Sequence, residues 1–107
     1  MSDRSTVLAV ELVRAGARLV VVGGTARRLL GRRHRPRDLD VVVGDGDVPT
    51  LVGALSRLGV VVSAARLHRC RDVALASGWG PLDVFVREAL PSGVPVEAAG
   101  RWLVARA

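Results

Sequence analysis

Two spacings of apolar residues alternate along the chain. Leu8, Leu12 and Ala15 recur at helical intervals in "VLAVELVRAGA", which predicts a helix capped by Ser5 or Thr6 and stopped by Gly16. "RLVVV" (18–22) is short and β-branched, the pattern of a buried strand, and Gly23 and Gly24 break it. "TARRLLG" then predicts a short helix from Thr25 to Gly31, followed by a loop over 32–37 closed by Pro36. "DLDVVV" (38–43) is a second strand, and "GDGDVPT" has the glycine and aspartate chemistry of a turn. A helix starts at Pro49 or Thr50 and runs through "TLVGALSRL" to Gly59. Val60–Val62, Asp72–Ser77 and Pro81–Val86 read as strands, and the tail as one or two short strands turning at Gly100. Helix and strand periods interleave, so the fold is α+β or α/β around one mixed sheet.

Composition narrows this further. At 107 residues there is room for one core. Half of the residues are hydrophobic and mean hydropathy is +0.32, so the chain has the apolar surface to fold. Its apolar runs fall far short of the roughly 20 residues that span a bilayer. Glu11 and Arg14 interrupt the first of them, which argues against a signal peptide. Cys70 is the single cysteine, which precludes an internal disulfide and suits a reducing compartment. The expectation is a soluble, cytoplasmic protein with no membrane partner. The net charge is +6 and all 16 basic residues are arginine, a compositional habit that says little by itself. Their distribution says more: Arg27, Arg28, Arg32, Arg33, Arg35 and Arg37 crowd one segment. Such a cluster is either a solvated loop or a magnet for polyanions.

The second predicted strand opens with two acids. Residues two apart on a strand share a face, so Asp38 and Asp40 project together. Adjacent carboxylates repel and are costly to desolvate, a penalty that a divalent cation removes; Mg²⁺ prefers such hard oxygen ligands. Asp83 repeats the anomaly inside "PLDVFV", and if its strand neighbours "DLDVVV" three acids meet, enough for a two-metal site. Upstream, Gly23 and Gly24 permit close backbone approach, and the helix after them offers free N–H groups to a triphosphate, with Arg27 or a loop arginine on its outer oxygens. Other candidates are weaker. Asp45 and Asp47 lack the later bidentate acid of a calcium loop. His34, His68 and Cys70 lack a fourth partner for zinc. Trp79 and Trp102 read as core or cover residues rather than base-stacking platforms.

"GGTARRLLGRRHRPRDLD" resembles the signature of the nucleotidyltransferase superfamily with the polymerase-beta-type palm. The correspondence lies in Gly23, Gly24, Arg27, Leu30, Gly31, Asp38 and Asp40. The tRNA-end-adding enzymes carry a similar pattern, but Arg28 stands where they place an aspartate, so their tRNA activity is not carried over. The small stand-alone members, many of them halves of toxin–antitoxin pairs, are nearer in size. "ALSRLGV" and "GPLDVFV" resemble their helix and third-carboxylate strand. The likeness spans about residues 15 to 90.

The resemblance implies a single minimal nucleotidyltransferase domain over 1–107, α+β, with a mixed β-sheet and helices packed on one side. It implies Mg²⁺ held by Asp38, Asp40 and Asp83 in a two-metal site, with Asp83 helping to activate the acceptor hydroxyl. Gly23, Gly24 and Thr25 would line the triphosphate, and Arg27 would stabilise it. ATP or another NTP would donate its nucleotide to a protein or RNA acceptor, with a cognate toxin or helical partner protein. Two other functions fit the same residues: a non-catalytic antitoxin of this fold acting by contact, and a basic RNA- or DNA-binding module.

Overall fold

The structure, a computed structural model, describes residues 3–107. Four α-helices and six strands follow in the order α1 (Arg4–Arg14), β1 (Val20–Val22), α2 (Gly23–Leu29), β2 (Leu39–Gly44), α3 (Val48–Arg57), α4 (Ala64–Cys70), β3 (Asp72–Ser77), β4 (Gly80–Arg87), β5 (Val94–Ala98) and β6 (Arg101–Ala105). The strands form one sheet in the order β3-β4-β2-β1-β6-β5. β2–β4 and β1–β6 are parallel and the other pairs antiparallel, so the sheet is mixed as expected.

Alternation along the strands sorts the sheet into two faces. Val21, Leu39, Val41, Val43, Val73, Leu82, Val84, Val86 and Leu103 point into the core, where Leu8 and Leu12 of α1, Ala26 of α2, Leu51 and Leu55 of α3 and Leu67 of α4 meet them. All four helices therefore cover one face. Each fully buried leucine contributes about 1.5–3 kcal/mol relative to an exposed one, so this single layer carries most of the driving force. The opposite face takes the residues between. A row across it runs Val22, Asp40, Asp83, Ala74, each in register with the next.

Several expectations need correction. α1 is capped by Asp3 rather than Ser5 or Thr6. The Asp3 carboxylate accepts from the Thr6 backbone N–H at 2.9 Å and also from the Ser5 and Thr6 hydroxyls. Burial alone would raise its pKa, but these hydrogen bonds hold it below the ordinary carboxylate value. α2 begins at Gly23, two residues before the predicted Thr25. The turn after β2 tightens into a 3₁₀ helix at Asp45–Asp47. Residues 60–62 form no strand: they have no ladder partner, with Val60 and Val62 buried and Val61 88% exposed. α4, absent from the sequence reading, follows with Ser63 as its cap. The tail forms two strands turning at Gly100, as expected. Trp79 packs against the core, and Trp102 is 65% exposed on β6. No helix among the described residues is long and apolar enough to cross a membrane.

Candidate functional site

β2 and β4 are the strands that matter. Leucine and valine residues on one side of each fill the core, which leaves the alternate positions on the open face. Parallel pairing sets Asp40 directly beside Asp83, on neighbouring strands roughly 4.8 Å apart. Both are half-buried. The pKa of Asp40 is pushed up to about 6, first by burial, then by the hydrogen-bonding contact and charge of Asp83 and by the charge of Asp38. Arg27, half-buried on α2, pulls the other way. Two carboxylates this close repel when both are charged, a cost that a cation between them removes.

Gly23 makes the arrangement possible. It opens α2 immediately after β1 with φ +67°, a conformation that only glycine adopts cheaply. A Cβ there would collide with Asp40 Oδ2 and lie 3.2 Å from its Cγ. The helix start thus lies directly on the acid. Gly24 is tight for a different reason: its Cβ would sit 2.5 Å from His34 Nε2. The N–H groups of the first turn of α2 have no intrahelical acceptors.

Thr25 plays a part different from the one its position suggests. Its side chain is wholly buried, with Oγ1 2.9 Å from Ser5 Oγ and 3.1 Å from the Asp38 carbonyl. The hydroxyl ties α2 to the start of β2, so it positions Asp38 and Asp40 rather than facing a ligand. Asp38 itself is not in the strand: it is exposed, in the bend before Leu39. Its charge is felt at Asp40, and it lines the same hollow as Asp40. Among the described residues no group of three or more His, Cys, Asp or Glu side chains gathers as a metal-binding cluster. The structure therefore brings Asp40, Asp83, Gly23 and Arg27 together, keeps Gly24 beside them, turns Thr25 inward and leaves Asp38 at the rim.

Over this group lies an open hollow of about 370 Å³, lined by Gly24, His34, Arg35, Pro36, Arg37, Asp38 and Asp40. The arginine loop forms its outer wall. The sequence offers His34 only as a weak zinc ligand, Arg35 only as one of the loop arginines and Pro36 not at all, because loop positions follow no period that would place them over Gly24. The donor set suits a divalent cation: two hard carboxylates, half-buried and side by side on neighbouring strands. The remaining polar candidates lie elsewhere. Asp45 is bound by Arg71 and lies 3.4 Å from His68 Nδ1, a surface cluster that joins the 3₁₀ turn to α4.

No protein-family model matches the chain, and no curated protein matches it. Among solved structures, the chain is similar to the crystal structure of ANT(2")-Ia in complex with adenylyl-2"-tobramycin, an aminoglycoside nucleotidyltransferase. The TM-score is 0.67 at 20% sequence identity, over 97% of this chain and 69% of that one. A likeness at that identity speaks for architecture. The mixed six-stranded sheet with its four helices is a nucleotidyltransferase-like fold.

Proposed function

We propose that the chain transfers a nucleotidyl group from a nucleoside triphosphate to an acceptor hydroxyl. The observation that carries this reading is the in-register Asp40–Asp83 pair on the open sheet face, pressed against the Gly23 start of α2. The neighbour's bound adenylyl-2"-tobramycin, an adenylylated acceptor, supports it at the level of reaction class.

In this reading the triphosphate lies in the hollow between α2 and the 34–37 loop. The Gly24 and Thr25 N–H groups donate to its phosphate oxygens, and Arg27 neutralises their charge. Asp40 and Asp83 would hold Mg²⁺, with Asp38 and the phosphates contributing further oxygens. Bound there, the cation supplies charge that offsets the carboxylate repulsion and stabilises the reacting phosphate. A carboxylate of the pair, Asp83 foremost, accepts the proton of the acceptor hydroxyl. The oxygen forms its bond to the α-phosphorus as the α–β bridging P–O bond breaks, and pyrophosphate leaves with the bridging electron pair. Positioning and electrostatics carry the rate, and a placed carboxylate base contributes about 10²–10⁴-fold. The acceptor is a protein or an RNA, and a toxin–antitoxin pairing in a cytoplasmic setting is the biological context that the sequence resemblance implies.

The test is incubation of the purified chain with each α-labelled NTP and Mg²⁺ or Mn²⁺, with candidate protein and RNA acceptors. The expected result is labelled acceptor and released pyrophosphate, lost by about 100-fold or more in Asp40→Asn and Asp83→Asn. Failure to bind any NTP at millimolar concentration would overturn the reading. Unchanged action of both variants on a partner would show that the fold acts by contact alone.

A further inference from the structure

The loop that walls the hollow carries more positive charge than one triphosphate needs. Arg32, Arg33, Arg35 and Arg37 are all exposed, and none of their guanidinium groups makes a hydrogen bond or ion pair among the described residues. Arginines elsewhere are often committed to the fold. Arg57 donates to the Ala15 carbonyl, Arg71 binds Asp45, and Arg106 donates to Ser92. Where arginines are free outside the loop they stand singly, or as the pair Arg66 and Arg69 on α4. Four in six consecutive residues is a different arrangement.

The loop also has two sides. Its inner side is the hollow with Asp38 and Asp40. On its outer side is a second hollow of about 350 Å³, lined by Arg28, Arg33, His34 and Arg35, with no carboxylate in its walls. His34 and Arg35 belong to both. The two hollows therefore form a basic track that leads away from the acid pair, one end able to do chemistry and the other only able to hold anions. Exposed guanidinium groups in such a track engage phosphates and can stack on unpaired bases. A cationic acceptor would be repelled in the outer hollow, which no carboxylate lines.

We infer that the acceptor is the end of a single nucleic-acid strand, its phosphodiester backbone held by Arg33 and Arg35 in the outer hollow and by Arg32 beside them in the loop, and its terminal hydroxyl delivered to Asp40 and Asp83. This rests on the nucleotidyl-transfer reading above and specifies the acceptor for it. The step balances as stated there: the strand's hydroxyl oxygen bonds to the α-phosphorus, its proton goes to a carboxylate, and pyrophosphate leaves.

The experiment has a binding arm and a transfer arm, both on the full chain. Fluorescence anisotropy with a short single-stranded RNA, and with DNA of the same sequence, is measured between about 50 and about 200 mM salt. Arg32→Gln/Arg33→Gln is compared with Arg66→Gln/Arg69→Gln, which removes the same charge from α4. Each phosphate contact to a single strand contributes a slope of about 0.7 in log K against log salt, so the loop variant should lose roughly 1.4 of slope and bind at least several-fold more weakly. The α4 variant should bind as the wild type does. Equal weakening by both variants, or no strand binding, overturns the proposal. In the transfer arm, α-labelled NTP is supplied with RNA, DNA, protein and a polyamine sugar. Label on RNA or DNA supports the proposal and says which strand is used. Label only on protein or the cationic sugar overturns it while leaving nucleotidyl transfer intact. Absence of NTP binding removes the underlying reading instead, a result separable from the others by a direct NTP titration.

Discussion

Gly23→Ala is the substitution whose consequences the structure defines most sharply, because it combines two separable effects. The first is conformational: at φ +67° an alanine incurs the left-handed penalty of about 1–2 kcal/mol. In a domain of this size each kcal/mol lowers the melting temperature by about 4–8 °C. The second is steric and local. The new methyl would overlap Asp40 Oδ2 and press on Cγ at 3.2 Å, so the carboxylate must move. A side-chain oxygen can yield at little cost in stability, but it is the atom the proposed chemistry needs. A displacement near 1 Å in such a site lowers rate by about 100-fold. Gly31→Ala separates the two effects: φ is +89° there and nothing lies within 4 Å of the added Cβ. Melting followed by circular dichroism should show similar losses for both variants. Labelled-NTP transfer below the melting range should fall about 100-fold for Gly23→Ala and stay within a few-fold of wild type for Gly31→Ala. Equal transfer by the two variants would refute the claim that Gly23 exists to admit the Asp40 carboxylate.

Other outcomes follow from the same geometry. Asp40 has an ordinary pKa of 3.8 unfolded and about 6 folded, so the folded state holds its proton to higher pH. The stability associated with that proton is present below the unfolded value and is lost as pH rises through about 6. Asp40→Asn should therefore raise the melting temperature at pH values above about 6 and have little effect below the ordinary value of 3.8, and an equal effect at both ends of the pH range would be contrary. Thr25→Val removes the hydroxyl that joins the Asp38 carbonyl and Ser5 Oγ, a loss of about 0.5–1.5 kcal/mol measurable by urea unfolding, with reduced transfer because β2 starts from a looser anchor. An unchanged urea midpoint would show that the hydroxyl anchors nothing.

Legibility from sequence followed the strength of the local signals. β1, β2 and β4 are β-branched runs whose core side is uniformly apolar, so a single acid between valines or leucines stood out and named Asp40 and Asp83. Their adjacency was not legible, because it depends on β4 crossing back parallel to β2 with β3 outside it. α4 escaped notice because Leu67 is its one buried residue, leaving no apolar stripe, although Ser63 bonding the Arg66 N–H is an ordinary cap signal. Val60–Val62 imitated a strand: alternate burial of a segment needs no partner strand. Asp3 displaced Ser5 and Thr6 as the cap of α1 because one carboxylate satisfies both hydroxyls and a backbone N–H together. His34 could not be placed over Gly24 by any periodicity, since a loop's path is set by tertiary contacts.

The central claim is that Asp40 and Asp83 together create the affinity for a nucleoside triphosphate and its divalent cation. Calorimetric titration of a non-hydrolysable NTP in Mg²⁺, against wild type and Asp83→Asn, measures this without requiring an acceptor. Wild type should bind only when the cation is present, and Asp83→Asn should lose the cation-dependent component while remaining folded. Binding of equal strength in the variant, or binding indifferent to Mg²⁺, would contradict the account.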